Sequence, residues 1–122
     1  EGPEPVAWAM MPKLFAQCSS DRCPGIVASV RQMVMTSNPI AIAAAHRGMA
    51  VRPDVTAWLQ TLNLPTLVVC GEHDVISPAS EMKSFAEMIP GAEFALIADA
   101  GHMAPMEQPQ AVNAVLRRFI EA

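Results

Sequence analysis

The sequence has few of the residues that mark a disulfide-stabilised or metal-binding protein. Its 122 residues include three cysteines at irregular spacing and no C-x-x-C pair, which excludes a disulfide framework. Cys18 and Cys23 are near enough to pair across a short loop, but reduced thiols are favoured in a cytosolic protein. No spacing of ligand residues indicates a metal site. We therefore expect a cytoplasmic protein that needs no metal and no cofactor.

Long apolar runs, basic segments and repeats are absent as well. No run approaches the ~20 apolar residues of a membrane-spanning helix, so we expect no membrane partner. The net charge is −4 with acidic and basic residues mixed, which argues against nucleic-acid binding. The acidic, proline-rich start has no basic segment ahead of an apolar stretch, so we expect no signal peptide.

The apolar content, by contrast, is high. Hydrophobic residues make up 52% of the chain, and the mean hydropathy is positive. A chain of this length is expected to form one domain with a buried core. Its composition suits a chain whose surfaces meet further protein. We expect that protein to be a second copy, giving a homo-oligomer, or a missing N-terminal part of the same protein.

Two short apolar runs predict two parallel β-strands joined by a helix. Residues 66–70 form a mostly β-branched run, typical of a strand buried on both faces, and residues 94–98 form the second run. Between them, Ser77-Pro78 is typical of an N-cap followed by proline at the first helical position, and Pro90-Gly91 ends the helix. The sequence therefore predicts an α/β fold built on a right-handed β-α-β crossover.

A carboxylate and an imidazole follow these two strands. Asp74 lies in the loop after the first strand, and His102 lies in the loop after the second. Both loops leave the carboxyl ends of the strands, where ligands bind in open α/β sheets. Histidine is the usual base for a serine or cysteine nucleophile, and a carboxylate fixes its tautomer. Gly101 lets the backbone turn tightly before the base. The pattern predicts the acid and the base of a nucleophilic triad.

At these residues the chain resembles the α/β-hydrolase superfamily. The matching motifs are G-E-H-D at 71–74 with its downstream Ser77-Pro78, D-A-G-H-M at 99–103, and E-Q-P at 107–109. The family orders its triad as nucleophile, acid and histidine. The resemblance implies that Asp74 is the triad acid and His102 the base, and that Met103, next to the base, lines the substrate pocket. The most similar branch is that of the enol-lactonases and small esterases with a helical cap.

The resemblance implies hydrolysis of a small-molecule carboxylic ester or lactone through an acyl-enzyme, without a cofactor. The family nucleophile lies in a G-x-S-x-G motif, and none of the seven serines here has glycines two residues away on both sides. We therefore expect the C-terminal part of a hydrolase, which begins inside the cap and supplies the acid and base only. Such a chain is expected to be inactive alone.

Other interpretations remain open at several positions. Asp99 also follows a strand, but the family acid comes from the preceding loop, which favours Asp74. His73, Asp74 and His102 could ligate zinc, although the triad already uses two of them. Cys70 is expected to be a small core residue. At the level of function, a non-catalytic interaction module that retains the triad geometry and a ligand-binding receptor on the hydrolase fold are the alternatives.

The chain divides into two predicted segments. Residues 1–62 are a helical cap-like segment and linker, and residues 63–122 are the C-terminal β-α-β-α unit of an α/β-hydrolase domain. Pro12 argues against a long helix before it, whereas Pro109 opens an amphipathic helix at the end of the chain. Periodicity in the first segment predicts helical turns over three ranges: 26–34, 40–49 and 55–62.

Overall fold

The structure, a computed structural model, describes residues 2–122 and contains a small parallel sheet surrounded by helices. The first half contains helices α1 (Glu4–Leu14), α2 (Ser19–Arg22), α3 (Pro24–Thr36) and α4 (Pro39–Ala50), and a 3-10 helix (Thr56–Thr61). The second half contains strand β1 (Leu67–Gly71), helix α5 (Ala79–Met88), strand β2 (Glu93–Ile97), and helices α6 (Ala104–Glu107) and α7 (Pro109–Glu121). The predicted α/β fold is confirmed.

The two strands pair in parallel, as the apolar runs predicted. Leu67 lies opposite Glu93 and Gly71 lies opposite Ile97. The observed strands differ by one residue from the predicted ranges, β1 beginning and ending one residue later and β2 one residue earlier. Within residues 2–122, β1 has β2 as its one neighbour, so its other edge is unpaired.

The expectation of no long helix before Pro12 is wrong. Helix α1 runs from Glu4 to Leu14 and contains this proline. Pro5 lies in the first turn, where amide groups have no intrahelical partner and proline is well tolerated. Pro12 lies in the last turn, so the bond that it removes is near the end of the helix rather than at its centre.

Two other local predictions also need correction. Helix α5 begins at Ala79, and Pro78 occupies the cap position without a side-chain cap. The predicted N-cap, Ser77, lies one residue before the cap position, and its amide donates to the side chain of Asp74 at 2.9 Å. The polar sequence Ser19-Ser20-Asp21 is typical of a loop, but these residues form the one-turn helix α2 together with Arg22.

The helical turns predicted for the first segment are present. Asn38 caps α4 by accepting a hydrogen bond from the amide of Ile40 at 2.8 Å. None of the residues of α4 is buried. Large apolar side chains elsewhere in this half are also exposed, including Trp8, Met33, Val51 and Trp58.

The core that supports the loops lies between the end of β2 and helix α7. Its four fully packed members are Ile97, Ala100, Ala104 and Val112, with Val69 and Val115 packed against them. Ala100 and Ala104 lie on either side of the His102 loop in sequence, so this loop is anchored in the core at both ends.

Candidate active site

The loop after β1 is built around the carboxylate of Asp74. Its Oδ1 atom accepts hydrogen bonds from the amides of Ile76, at 2.8 Å, and Ser77, at 2.9 Å. An aspartate that bonds amides two and three residues ahead forms a tight local turn. The side chain is 6% exposed. These bonds fix the carboxylate and leave its second oxygen available to another group.

That second oxygen lies 2.9 Å from Nδ1 of His102. The two residues are 28 positions apart and follow the two strands that pair in parallel. The imidazole is 36% exposed. Among residues 2–122, no hydrogen bond reaches its Nε2 atom. When the carboxylate accepts from Nδ1–H, the neutral ring has a lone pair on Nε2, which is the arrangement that a general base requires.

The ionisation of Asp74 fits this pairing. Burial acts to raise the pKa of Asp74, but the amide of Ser77, the ring of His102 and the amide of Ile76 outweigh it. The pKa of Asp74 therefore lies below its ordinary value. The aspartate is consequently charged at neutral pH and can stabilise an imidazolium at His102.

Two glycines allow the loops to approach. A Cβ atom at Gly71 would collide with the carbonyl oxygen of Gly101, and one at Gly101 would lie 2.6 Å from the amide nitrogen of Ala16. The amide of His73 donates to the carbonyl of Ala100 at 2.8 Å, which ties the two loops together. The side chain of Glu72 accepts from the amide of Asp99 at 3.1 Å, so it too joins these loops.

The rival carboxylate, Asp99, is directed elsewhere. Its backbone has a left-handed φ of 53°. Arg22 donates to its carbonyl at 2.6 Å and lies 3.8 Å from its carboxylate, which is 62% exposed. No hydrogen bond joins Asp99 to His102 in the part of the chain that the structure describes. The geometry therefore favours Asp74 as the partner of the histidine.

The structure does not bring together the three residues considered above as zinc ligands, His73, Asp74 and His102. Over residues 2–122, the side chains that come within reach of one ion are Glu72, His73 and Asp99, all exposed. Neither Asp74 nor His102 is among them; Nδ1 of His102 lies 2.9 Å from the carboxylate of Asp74.

Cys70 is a core residue at the end of β1. It is 4% exposed, and its thiol contacts the carbonyl oxygens of Ser77, at 3.3 Å, and Gly71, at 3.4 Å. Burial, and then the charge of Asp74, raises the pKa of the Cys70 thiol. A thiol held protonated in this way is a poor nucleophile. All three cysteines of the chain are free.

An open groove of about 380 Å³ is lined by the last residues of β1 and by the Asp74–His102 pair. Its walls include Val69 of β1, Met82 of α5 and Leu116 of α7. Met103, predicted to line the substrate pocket, is half-buried and does not line this groove. The backbone amide of Met103 donates a hydrogen bond to the carbonyl of Leu14 at 2.9 Å.

Sequence reasoning missed one residue that shapes the site. Glu107 is 5% exposed, and its carboxylate accepts hydrogen bonds from the amides of Ala16 and Gly101 and from the hydroxyl of Ser19. The signal available in the sequence was the E-Q-P motif at 107–109. The motif contributed to the resemblance but gave no indication of these partners.

No helix among residues 2–122 has the length and apolar character needed to cross a bilayer.

Curated relatives of this chain include hydrolases of esters and lactones. An uncharacterized carboxylesterase of Bacillus subtilis is 38% identical over 65 residues, which are 52% of this chain and 22% of that protein. The 3-oxoadipate enol-lactonase 2 of Acinetobacter baylyi is 26% identical over 123 residues, covering 98% of this chain and 45% of the relative. The chain thus spans less than half the length of each.

Solved structures give a similar result. A thermophilic esterase from Thermogutta terrifontis superimposes with a TM-score of 0.96 at 42% identity, over 99% of this chain and 44% of that one. The enol-lactonase from Burkholderia xenovorans superimposes with a TM-score of 0.91 at 23% identity, over 100% of this chain and 46% of its own, which shows the shared fold. A sequence model of the alpha/beta hydrolase fold matches residues 20–109. This chain, with its parallel strands and the Asp74–His102 pair beyond them, therefore belongs to the α/β-hydrolase family and covers a C-terminal part of that fold.

Proposed function

We propose that the chain supplies the acid and the base of a serine hydrolase that cleaves a carboxylic ester or a lactone. The observation that carries this proposal is the 2.9 Å contact between Asp74 and His102 at the carboxyl ends of two parallel strands. The esterase and the enol-lactonases that resemble this chain support the choice of substrate class. In this proposal the nucleophilic serine lies outside the 122 residues.

The reaction begins with proton transfer to His102. Its Nε2 atom accepts the hydroxyl proton as the serine oxygen bonds to the carbonyl carbon of the substrate, and the carbonyl electrons move to oxygen. When the carbonyl re-forms, the alkoxide leaves and takes the proton from His102. Asp74 stabilises the imidazolium between these steps. Water then repeats the sequence on the acyl-enzyme, which releases the carboxylic acid and restores the serine.

The two predicted segments have separate roles in this proposal. Residues 63–122 carry the acid and base, and residues 1–62, whose first residue lies outside the described structure, form the cap and linker. The exposed apolar side chains of α3 and α4 suit a cap that meets further protein. Met103 is proposed to contribute to the substrate pocket once that pocket is complete.

A chimera tests the proposal. The 122 residues replace the matching 44% of the Thermogutta terrifontis esterase, whose remaining part precedes them in the family order of nucleophile, acid and histidine. We expect the chimera to hydrolyse p-nitrophenyl acetate and His102→Ala to abolish the activity. His46→Ala, a histidine exposed on α4, is the matched control and should retain it. Equal activity of the two variants would refute the role of His102.

The 122-residue chain alone provides the second arm of this test. We expect no turnover above the buffer background, because neither a nucleophile elbow nor an oxyanion hole is recognisable in its sequence. Turnover that is lost in His102→Ala would reveal a nucleophile within the chain. A folded but inactive chimera would contradict the proposed function and would favour a non-catalytic interaction module, the second candidate function.

A further inference from the structure

Glu107 is a buried carboxylate that the reaction proposed above does not use. It closes the short helix α6, five positions after His102, and is 5% exposed. Its Oε2 atom accepts from the amide of Ala16 at 2.8 Å and from the hydroxyl of Ser19 at 2.6 Å. Its Oε1 atom accepts from the amide of Gly101 at 2.8 Å. Both carboxylate oxygens therefore accept hydrogen bonds from donors within the protein.

No lysine or arginine pairs with this carboxylate within residues 2–122, so hydrogen-bond donors alone compensate for its burial. A buried carboxylate without such partners is strongly unfavourable. The three donors come from segments that are far apart in sequence. Ala16 lies between α1 and α2, and Ser19 is the first residue of α2; they are separated from Glu107 by 91 and 88 positions. Gly101 directly precedes His102.

The backbone of His102 is held on both sides by this arrangement. On one side Gly101 donates to Glu107, and its close contact with Ala16 leaves no room for a side chain. On the other side the amide of Met103 donates to the carbonyl of Leu14 at 2.9 Å. The segment from residue 14 to residue 19 thus forms a support beneath the histidine loop, and Glu107 is the side chain that joins the two.

We propose that Glu107 is a positioning residue, which sets the alignment of the His102 ring with Asp74 by joining the 14–19 segment to the histidine loop. This inference rests on the function proposed above. It adds a residue that contacts no substrate and acts through the backbone of Gly101. Its effect is expected in the rate of the chemical step rather than in substrate binding.

The first test measures the histidine itself, in the 122-residue chain. Nitrogen-15 NMR reports which ring nitrogen of His102 carries the proton. We expect one ring form, protonated on Nδ1 with slow exchange of that proton, in the unmodified chain. In Glu107→Gln, an NH₂ group replaces one carboxylate oxygen and faces hydrogen-bond donors, from which it cannot accept. We expect the His102 loop to shift as a result, so the slowly exchanging Nδ1–H signal of His102 should be lost. Glu87→Gln, an exposed glutamate on α5, should leave the signal unchanged.

A milder variant guards against loss of the fold. Ser19→Ala removes one of the three donors and leaves the carboxylate in place, and Ser20→Ala, an exposed neighbour, is its control. We expect Ser19→Ala to accelerate exchange of the Nδ1–H proton while circular dichroism shows the helices intact. An unchanged His102 signal in a folded Ser19→Ala or Glu107→Gln chain would overturn the proposal.

The second test uses the chimera described above. A misplacement of about 1 Å at a reacting group can reduce a rate on the order of 10²-fold. We expect Glu107→Gln to lower kcat by about that factor with little change in KM. Unchanged kcat would refute the positioning role. If the unmodified chimera is inactive, the proposed function fails, but the NMR comparison still decides the role of Glu107.

Discussion

Gly71 and Gly101 are in backbone contact, so that a side chain at Gly71 would collide with the carbonyl of Gly101. These glycines lie in the segments that carry Asp74 and His102. The distance between the acid and the base therefore depends on two residues without side chains. This contact therefore helps to set the geometry of the Asp74–His102 pair.

Gly71→Ala should destabilise the fold and separate the Asp74–His102 pair. Forcing an additional methyl group into a packed site costs about 1–3 kcal/mol, and here the opposing atoms belong to the backbone. Urea unfolding measures the loss. Gly48→Ala on α4 is the matched control, because a Cβ at that position meets nothing within 4 Å. The control should gain about 0.5–1 kcal/mol, as alanine does in a helix interior. Equal effects of the two changes would contradict the contact.

In the chimera, Asp74→Asn should lower kcat far more than Asp99→Asn. If Asp74 fixes the ring as a triad acid does, the loss is ~10⁴-fold. Asp99 pairs with Arg22 on the surface, so its replacement should change the rate little. Steady-state ester hydrolysis by both variants provides the comparison. The reverse ranking would identify Asp99 as the functional acid.

The lowered pKa of Asp74 predicts how stability depends on pH. A carboxyl group whose pKa is lower in the folded state stabilises the fold above its unfolded pKa of about 3.9. That contribution is lost as pH falls from about 3.9 through the lower native pKa. Urea unfolding between about pH 6 and pH 2.5 should therefore show a steeper loss for the unmodified chain than for Asp74→Asn.

The contribution of Asp54 to the pH dependence of stability must be separated from that of Asp74. The hydroxyl and amide of Thr56 lower the pKa of Asp54 as well, so it titrates in the same direction. Comparing Asp54→Asn with the double variant Asp54→Asn/Asp74→Asn isolates the contribution of Asp74. Parallel curves for these two proteins would show that Asp74 has no lowered pKa.

The unpaired edge of β1 predicts self-association of the chain. An apolar strand edge exposes N–H and C=O groups that pair readily with another strand. Exposed apolar side chains, including Trp8 at 74% and Ile40 at 76%, add surface that favours contact. Light scattering should show a dimer or a larger species that dissociates on dilution. A cooperative monomer at roughly tens of micromolar, where edge pairing of this kind should be populated, would contradict this prediction.

The proximity of Asp74 and His102 could be predicted because each residue follows a recognisable apolar strand. The strand pattern, the helix between the strands and the rule that sites lie beyond the carboxyl ends placed both loops at the same end of the sheet. The preference for Asp74 over Asp99 came from the resemblance to the α/β-hydrolase family. Glu107 could not be found in this way, since two of its three partners are backbone amides, which leave no trace in a sequence. The helix through Pro12 was missed because the cost of a proline depends on its distance from the helix end.

The bridge from Ala16 to Glu107 also has a consequence for the order of folding. It closes a loop of 91 positions, and contacts of such separation carry the largest entropic cost and form slowly. The crossover between β1 and β2, in contrast, joins neighbouring parts of the chain. We expect the strands and α5 to assemble first, with His102 still unconstrained by Glu107. We expect His102 to take its final position only after the segment around Ala16 has packed against Glu107.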